Sequence, residues 1–331
     1  MPEEDAACVG LTTAAGYAVV GKANLHEFAF GVTSDNPHFG LVANPLDSSR
    51  FAGGSSGGSA AALAGGLADA ALGTDSAGSV RIPAACCGVV GFKPTHGRVP
   101  TDGVFPLAPS FDVVGPMGRT VADCVALHRA LDPTVEPNSM ELTDVRVGLA
   151  WLDRADPLVR ARVDEAASRF TASETIELPG SEAVDNAFRR EAANVHRTLW
   201  AEHRERYGED VRMKLERCFA VTDEEYEAAV QARTAYADAW RDAVDGYDVI
   251  LTPTVPCVAP PASLGERGVR DQLLRFTDPV SVVGCPALAL PCGTAEDGLP
   301  ASLQIVGQRD ADGLVLGVGL GLEADREPEL P

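Results

Sequence analysis

Two segments dense in glycine and serine constrain this chain more than any other feature. They are residues 53–59 (GGSSGGS) and 73–83 (GTDSAGSVRIP). Glycines this dense cost conformational entropy, and a chain tolerates them where its backbone turns tightly or approaches a ligand. One predicted helix and one predicted strand separate the segments, so we expect Ser55 and Ser79 to meet at the same sheet edge. A flexible linker would not contain these apolar elements.

Strand and helix patterns alternate along the chain. Strands are predicted at 17–20, 70–72, 88–92, 145–151, 248–251, 287–290 and 302–306. Helices are predicted at 59–67, 120–131 and 312–324, and residues 156–244 are helical in pattern and nearly free of strand signals. The alternation predicts an α/β fold with a mixed, largely parallel β-sheet covered by helices on both faces.

The absence of repeats and low-complexity linkers predicts a single domain over residues 1–331. Residues 1–131 would form the core that carries both serine segments. Residues 132–245 would form a mostly helical, variable region on the substrate side. Residues 246–331 would supply the last strands and the closing helix.

The composition limits the function classes. The formal charge of −21 argues against nucleic acid, because phosphate contacts need a basic face. No stretch approaches the roughly 20 apolar residues of a membrane span, and the acidic start lacks the basic region of a secretory signal. The eight cysteines lack a CxxC pair or other metal-ligand spacing. We therefore expect a cytoplasmic protein with reduced cysteines and without metal, cofactor or membrane.

Two further motifs match known patterns by letter only. Residues 16–22 have the spacing of a phosphate-binding loop, but Ala23 stands where a serine or threonine would hold magnesium. Residues 54–58 fit the G-x-S-x-G elbow of α/β-hydrolases, which requires a buried strand before it, and the preceding residues predict a loop. The base of that reaction would have to be one of three later histidines, His128, His196 and His203. We expect neither activity.

Several segments, in order along the chain, resemble the amidase signature family. They are residues 21–28 (GKANLHEF), 36–40, 44–45, both serine segments, 91–98 (GFKPTHGR), 112–117, 119–123, 248–253, 284–287 and 303–307. The resemblance is dense over the first third of the chain, fair over the last quarter and weak between them. It implies the hydrolysis of an amide without a cofactor.

The resemblance implies that Ser79 is the nucleophile and that Ser55, which follows a cis peptide bond, passes its proton to a lysine. That lysine must be neutral, and hence desolvated, to act as a base near pH 7. In the family it lies well before the Gly-Lys-x-Asn segment, but residues 1–20 contain no lysine. Lys22 and Lys93 match positions that are not catalytic. We therefore expect poor turnover and an exposed apolar edge, with either a longer working protein or an inactive remnant as the cause.

The loop before the nucleophile would supply the oxyanion hole through four backbone N–H groups, those of Ser76, Ala77, Gly78 and Ser79. Asp75 and Arg81 would fix that loop as a charged pair, and Ser56 would support it. Ala77 stands where many members of the family have glycine, so a positive φ at this position would be strained.

The substrate class is less constrained. Ile82 stands where the subunit of the glutamine-dependent tRNA amidotransferase usually has a glutamine, which removes a polar group suited to a glutamine substrate. Residues 76–79 (SAGS) are similar to the allophanate and carboxybiuret hydrolases. We expect a small-molecule carboxylic amide first, a urea derivative second and a tRNA amidotransferase subunit third. A non-catalytic remnant is the alternative of a different class, and a homodimer is left open.

Overall fold

The computed structural model describes residues 4–324, which form helices around a central β-sheet. The strands are β1 (Asp35–Asn36), β2 (Gly40–Leu41), β3 (Ala70–Asp75), β4 (Val90–Lys93), β5 (Val113–Gly118), β6 (Arg146–Leu149), β7 (Ala172–Thr175), β8 (Val249–Pro253), β9 (Ala287–Thr294) and β10 (Pro300–Gly307). The helices are α1 (Ala7–Ala14), α2 (Gly57–Ala64), α3 (Arg81–Cys87), α4 (Val121–Leu131), α5 (Pro157–Ala167), α6 (Asp185–His203), α7 (Glu209–Phe219), α8 (Asp223–Val244), α9 (Gly265–Leu274), α10 (Asp278–Val283) and α11 (Asp312–Ala324).

The central sheet has eight strands in the order β3-β5-β4-β9-β10-β8-β6-β7. The prediction of a mixed sheet covered by helices is confirmed, but the expectation that it is largely parallel is wrong. Only β6 pairs in parallel, with β7 and β8, and the other neighbours are antiparallel. The reason is topological. The strand β5 inserts between β3 and β4 and runs antiparallel to both, and a short turn joins β9 to β10.

Both faces of the sheet are buried, because successive side chains of a strand point to opposite faces. On β8, Leu251 packs into an apolar cluster that includes side chains of α4, α5 and α11. Its neighbour Ile250 packs into a second cluster, with side chains of α8 and α10. The two layers of helices therefore lie on opposite sides of the strand that carries both residues.

Most of the predicted elements are present. The closing helix has the predicted bounds, and residues 156–244 are helical except for the exposed edge strand β7. The predicted strand at 17–20 is wrong. Among residues 4–324 no strand pairs with it, and Val19 and Val20 are 62% and 80% exposed. An apolar run becomes a strand only when a neighbour bonds to its backbone.

The described residues contain eight free cysteines, and all but Cys292 are buried. This agrees with the expectation of reduced, structural thiols. Within residues 4–324, no helix combines the length and the apolar character needed to cross a bilayer.

Replacing Ile250 or Leu251 by alanine tests whether both faces of the sheet are covered. Each variant should lose about 2–5 kcal/mol of unfolding free energy, because each change leaves a cavity in a packed cluster. Urea denaturation measures the loss. Val230→Ala, at a position 43% exposed, is the control and should change little. A near-neutral result for either strand residue would show that its face of the sheet is open.

Candidate active site

The two serine segments meet where α2 and β3 lie side by side. The backbone N–H of Ser56 donates to the carbonyl of Ser79 at 3.1 Å. The Ser56 hydroxyl accepts from the N–H of Thr74 at 3.1 Å and donates to the carbonyl of Thr74 at 3.2 Å. Ser56 therefore joins the first segment both to β3 and to the residue predicted as nucleophile. The expectation that the segments lie together is confirmed.

Ser55 lies at the centre of this junction and is completely buried. Its peptide bond to Gly54 is cis, as the resemblance implies. Its carbonyl accepts hydrogen bonds from the N–H of His26 at 3.1 Å and the hydroxyl of Ser34 at 3.0 Å. Within residues 4–324, its own Oγ has no hydrogen-bond partner. The Ser55 hydroxyl is thus free to exchange a proton.

Sequence reasoning missed Ser34. Its Oγ also accepts from the N–H of Gly57 at 3.0 Å, so it connects the carbonyl of Ser55 to the first turn of α2. Nothing in its sequence neighbourhood marks it, because its partners lie more than 20 residues away.

A buried ion pair between Asp75 and Arg81 fixes the loop that carries Ser79. The two side chains are completely buried, and their bidentate contact has N–O distances of 2.8 and 2.9 Å. The same carboxylate accepts from the N–H of Gly78 at 2.7 Å and of Val80 at 3.2 Å. Burial alone would raise the pKa of Asp75, but the Arg81 guanidinium outweighs it and the pKa is lowered. The predicted pairing is present, and it holds the loop at both ends.

The guanidinium of Arg81 is completed by residues that sequence reasoning missed. It donates to Oε1 of Gln304 at 2.7 Å, the carbonyl of Thr277 at 3.0 Å and the hydroxyl of Ser281 at 2.7 Å. The Thr277 hydroxyl donates to the carbonyl of Ala77 at 2.7 Å. The end of the chain therefore buttresses the loop from outside. Gln304 lies inside one of the segments with family resemblance, which was the only signal.

The oxyanion donors differ from the expectation at one position. The N–H of Gly78 is bonded to Asp75, so Gly78 positions the loop and is corrected as a donor to substrate. Among the described residues, no acceptor is bonded to the N–H groups of Ser76, Ala77 and Ser79. The positive φ of the loop falls on Gly78, at 137°, and not on Ala77. A Cβ at Gly78 would lie 2.2 Å from Oγ1 of Thr277, so only glycine fits there.

The three lysines of the chain are engaged elsewhere or exposed. Lys22 is exposed. Lys93 is fully buried, donates to the carbonyl of Pro94, and has its pKa lowered to about 8 by burial and by Arg81. Lys214 is held between two carboxylates. No side chain of residues 4–324 is hydrogen-bonded to Oγ of Ser55.

The histidines do not form a triad with either serine. His128 is buried against Phe92, and His196 is bonded through Nδ1 to the hydroxyl of Tyr207 at 2.9 Å. His203 contacts Glu202 on the outside of α6. These contacts agree with setting aside the α/β-hydrolase interpretation.

A metal-like grouping is formed by His26, Asp210 and Glu266. Its two carboxylates already bond the ammonium of Lys214, at 2.6 and 2.8 Å, and Glu266 also bonds Arg270. A protein cation therefore already neutralises the charge that would attract a metal ion.

A cavity of about 780 Å³ opens beside the nucleophile loop, with Ala77 in its wall. Aromatic side chains line part of it, those of Phe30, Phe111, Trp151 and Phe188. The Trp151 and Phe276 rings stack at 5.5 Å between centroids. Side chains of α6 and α7 also line the cavity, which agrees with the expectation that the helical region shapes the substrate side.

Comparisons with known proteins agree with this geometry. The family model described as Amidase matches residues 1–150 and 139–316. A glutamyl-tRNA(Gln) amidotransferase subunit of Symbiobacterium thermophilum is 35% identical over 367 residues, which cover 94% of this chain and 74% of that protein. A crystal structure of an amidase superposes with a TM-score of 0.90 at 38% identity, covering 99% of this chain and 79% of that one.

A third similar protein is described as an unexpected vestigial protein complex that reveals the evolutionary origins of an s-triazine catabolic enzyme. It superposes with a TM-score of 0.88 at 30% identity, and the match covers 98% of this chain and 77% of that one.

Asp75→Asn tests the importance of the ion pair. The change leaves the buried Arg81 charge uncompensated, and we expect a loss of roughly 3–5 kcal/mol in unfolding free energy. Because the pKa of Asp75 is lowered in the fold, its stabilisation is present above its ordinary value of 3.8 and is lost as the pH falls through the lower folded value. Denaturation curves should therefore lose stability at acid pH in the parent protein and less so in the variant. Asp69→Asn, at the exposed partner of Arg119, is the control, and an equal loss there would contradict the assignment.

Proposed function

Because the chain belongs to the amidase signature family, we propose that it cleaves the C–N bond of a carboxylic amide through an acyl-enzyme on Ser79. The observation that carries the proposal is the junction of the two loops. The N–H of Ser56 bonds the carbonyl of Ser79, and the buried Oγ of Ser55 has no partner within residues 4–324. This arrangement supports a proton relay between two serines.

The first half of the reaction is acylation. Oγ of Ser79 attacks the amide carbonyl while its proton moves to Oγ of Ser55, which must pass a proton onward. The negative charge that develops on the carbonyl oxygen is stabilised by backbone N–H groups of Ser76, Ala77 and Ser79, which the clamped loop holds in place. Protonation of the leaving nitrogen releases ammonia or an amine, and water then hydrolyses the ester on Ser79.

The weak point of the reaction is the final proton acceptor. A serine hydroxyl has too little basicity to hold the proton, so a base must follow Ser55 in the relay. No such base is bonded to Ser55 among residues 4–324. We therefore propose that these residues by themselves hydrolyse unactivated amides slowly. Activated esters, whose leaving group needs no protonation, should react faster than amides.

A second function, as the glutamine-hydrolysing subunit of a tRNA amidotransferase, is favoured by the name of the Symbiobacterium relative. The sequence argued against it, because Ile82 removes a polar group. That side chain, however, is fully buried in an apolar cluster and is not among the residues that line the cavity. Ile82 therefore does not contact the substrate and does not argue against glutamine. A urea-derivative hydrolase is the other alternative.

A panel of substrates separates these functions. Ammonia release is measured with short aliphatic amides, with biuret-type ureas and with glutamine, each with and without added amidotransferase subunits and tRNA. The proposal expects turnover of simple amides without partners. Turnover of glutamine that depends on partner subunits would instead establish the amidotransferase role.

An activated ester tests the nucleophile directly. A p-nitrophenyl ester should release its nitrophenolate in a burst and add one acyl group, found on Ser79 by peptide mass spectrometry. Ser79→Ala should lower the rate by at least about 10³-fold and abolish the adduct. Ser55→Ala should slow the burst without moving the label.

Ser263→Ala, at an exposed serine in the turn Ala262–Leu264, is the matched control and should leave the burst unchanged. A label on another residue, or a burst that survives Ser79→Ala, would overturn the assignment.

A further inference from the structure

The charged side chains of the cavity run against the composition of the chain. The protein has 48 acidic residues against 27 lysines and arginines. The cavity wall shows the reverse balance, because Glu182, Asp185, Asp271 and Asp278 are its acidic members. Its basic members are Arg154, Arg189, Lys214, Arg217, Arg270 and Arg275.

Half of these cations are neutralised by the protein itself. Lys214 and Arg270 bond the carboxylate of Glu266, at 2.8 and 3.2 Å, and Lys214 also bonds Asp210. Arg189 bonds Asp185 at 3.0 Å, one helical turn earlier on α6. Such pairs stabilise the wall and contribute little net charge to the cavity.

The other half have no partner. Within residues 4–324, the arginines whose guanidinium makes no hydrogen bond, ion pair or ring contact are Arg154, Arg206, Arg212, Arg217 and Arg275. Arg154, Arg217 and Arg275 line the cavity, and the other two do not. Carboxylates are abundant in this chain, so unpaired arginines gathered around one cavity indicate a site for an external anion.

The unpaired arginines come from separate segments of the fold. Arg154 ends a short turn that follows Trp151, and Arg275 precedes Phe276, whose ring stacks on that tryptophan. Arg217 lies on α7, three residues after Lys214. All are exposed, so they lie toward solvent, whereas Ala77 brings the nucleophile loop into the same wall.

We propose that the cavity binds an amide that carries a carboxylate remote from the scissile bond, with Arg154, Arg217 and Arg275 as the residues that recognise the carboxylate. The substrate class is thus the monoamide of a dicarboxylic acid or a carboxylated urea of similar shape. Guanidinium groups bind carboxylates through paired hydrogen bonds, which also fix the direction of the bound molecule. The amide end would then face the loop of Ser79. This inference rests on the proposed function.

One acidic residue of the wall, Asp278, adjoins the nucleophile loop and does not oppose this orientation. It follows Thr277, which bonds the carbonyl of Ala77. Burial, followed by the nearby Asp185, raises the pKa of Asp278 to about 7. At neutral pH this carboxyl is therefore partly protonated and can donate a hydrogen bond to an amide oxygen or accept one from its nitrogen.

Binding to a Ser79→Ala variant of the full chain tests the inference without requiring turnover. The probes are adipic acid monoamide and its methyl ester, which differ in one negative charge, and the measurement is isothermal titration calorimetry at low and high ionic strength. We expect the acid to bind at least about tenfold more tightly than the ester, with the preference reduced by salt. A shorter series, from malonic to glutaric monoamide, then locates the length that spans the cavity.

Arginine variants assign the effect. Adding Arg154→Gln, Arg217→Gln and Arg275→Gln together should abolish the preference for the acid. Adding Arg206→Gln and Arg212→Gln, which remove unpaired charges outside the cavity, should preserve it. Equal affinities for acid and ester, or the same loss in both variants, would overturn the inference.

Hydrolysis of the same pair by the unsubstituted chain separates this inference from the proposed function. Hydrolysis of acid and ester at equal rates through Ser79 would support the amidase proposal and contradict the anionic substrate. Arginine-dependent binding of the acid, with no acyl group on Ser79 from any ester, would support the anion site and contradict the amidase proposal.

Discussion

The bidentate pair of Asp75 and Arg81 is the interaction on which the rest of the site depends. The carboxylate ends β3 and the guanidinium begins α3, so a single ion pair closes the loop between a strand and a helix. The carboxylate turns the N–H of Gly78 inward, which leaves the neighbouring N–H groups facing the cavity side. Charges this deeply buried are tolerated only with full hydrogen bonding, which Gln304, Thr277 and Ser281 complete for the arginine.

The rigid loop also explains why the first serine segment can be placed accurately. Ser56 reaches Thr74 on β3 and Ser79 beyond the loop, so its position is defined by elements that the ion pair already holds. Ser55 follows passively, with its carbonyl fixed by His26 and Ser34 and its hydroxyl left free. A proton relay needs this combination of fixed backbone and unengaged hydroxyl, because competing hydrogen bonds would hold the proton in place.

The local parts of this site could be predicted from sequence. Glycine density marked both loops, and an acid and a base six residues apart around Ser79 marked the clamp. The contacts of Thr277 and Gln304 could not be predicted, because each partner lies about 200 residues away and has no local signature. Strand direction failed for the same reason. An alternation of strands and helices does not reveal that β5 inserts between β3 and β4.

A covalent phosphonate inhibitor that mimics the tetrahedral intermediate provides the most direct test of the central claim, through a crystal structure of its adduct. The account predicts phosphorus bonded to Oγ of Ser79, a phosphoryl oxygen within hydrogen-bond distance of backbone N–H groups of Ser76 and Ala77, and Gly78 still bonded to Asp75. An adduct on another residue, or a phosphoryl oxygen turned away from residues 76–79, would contradict it.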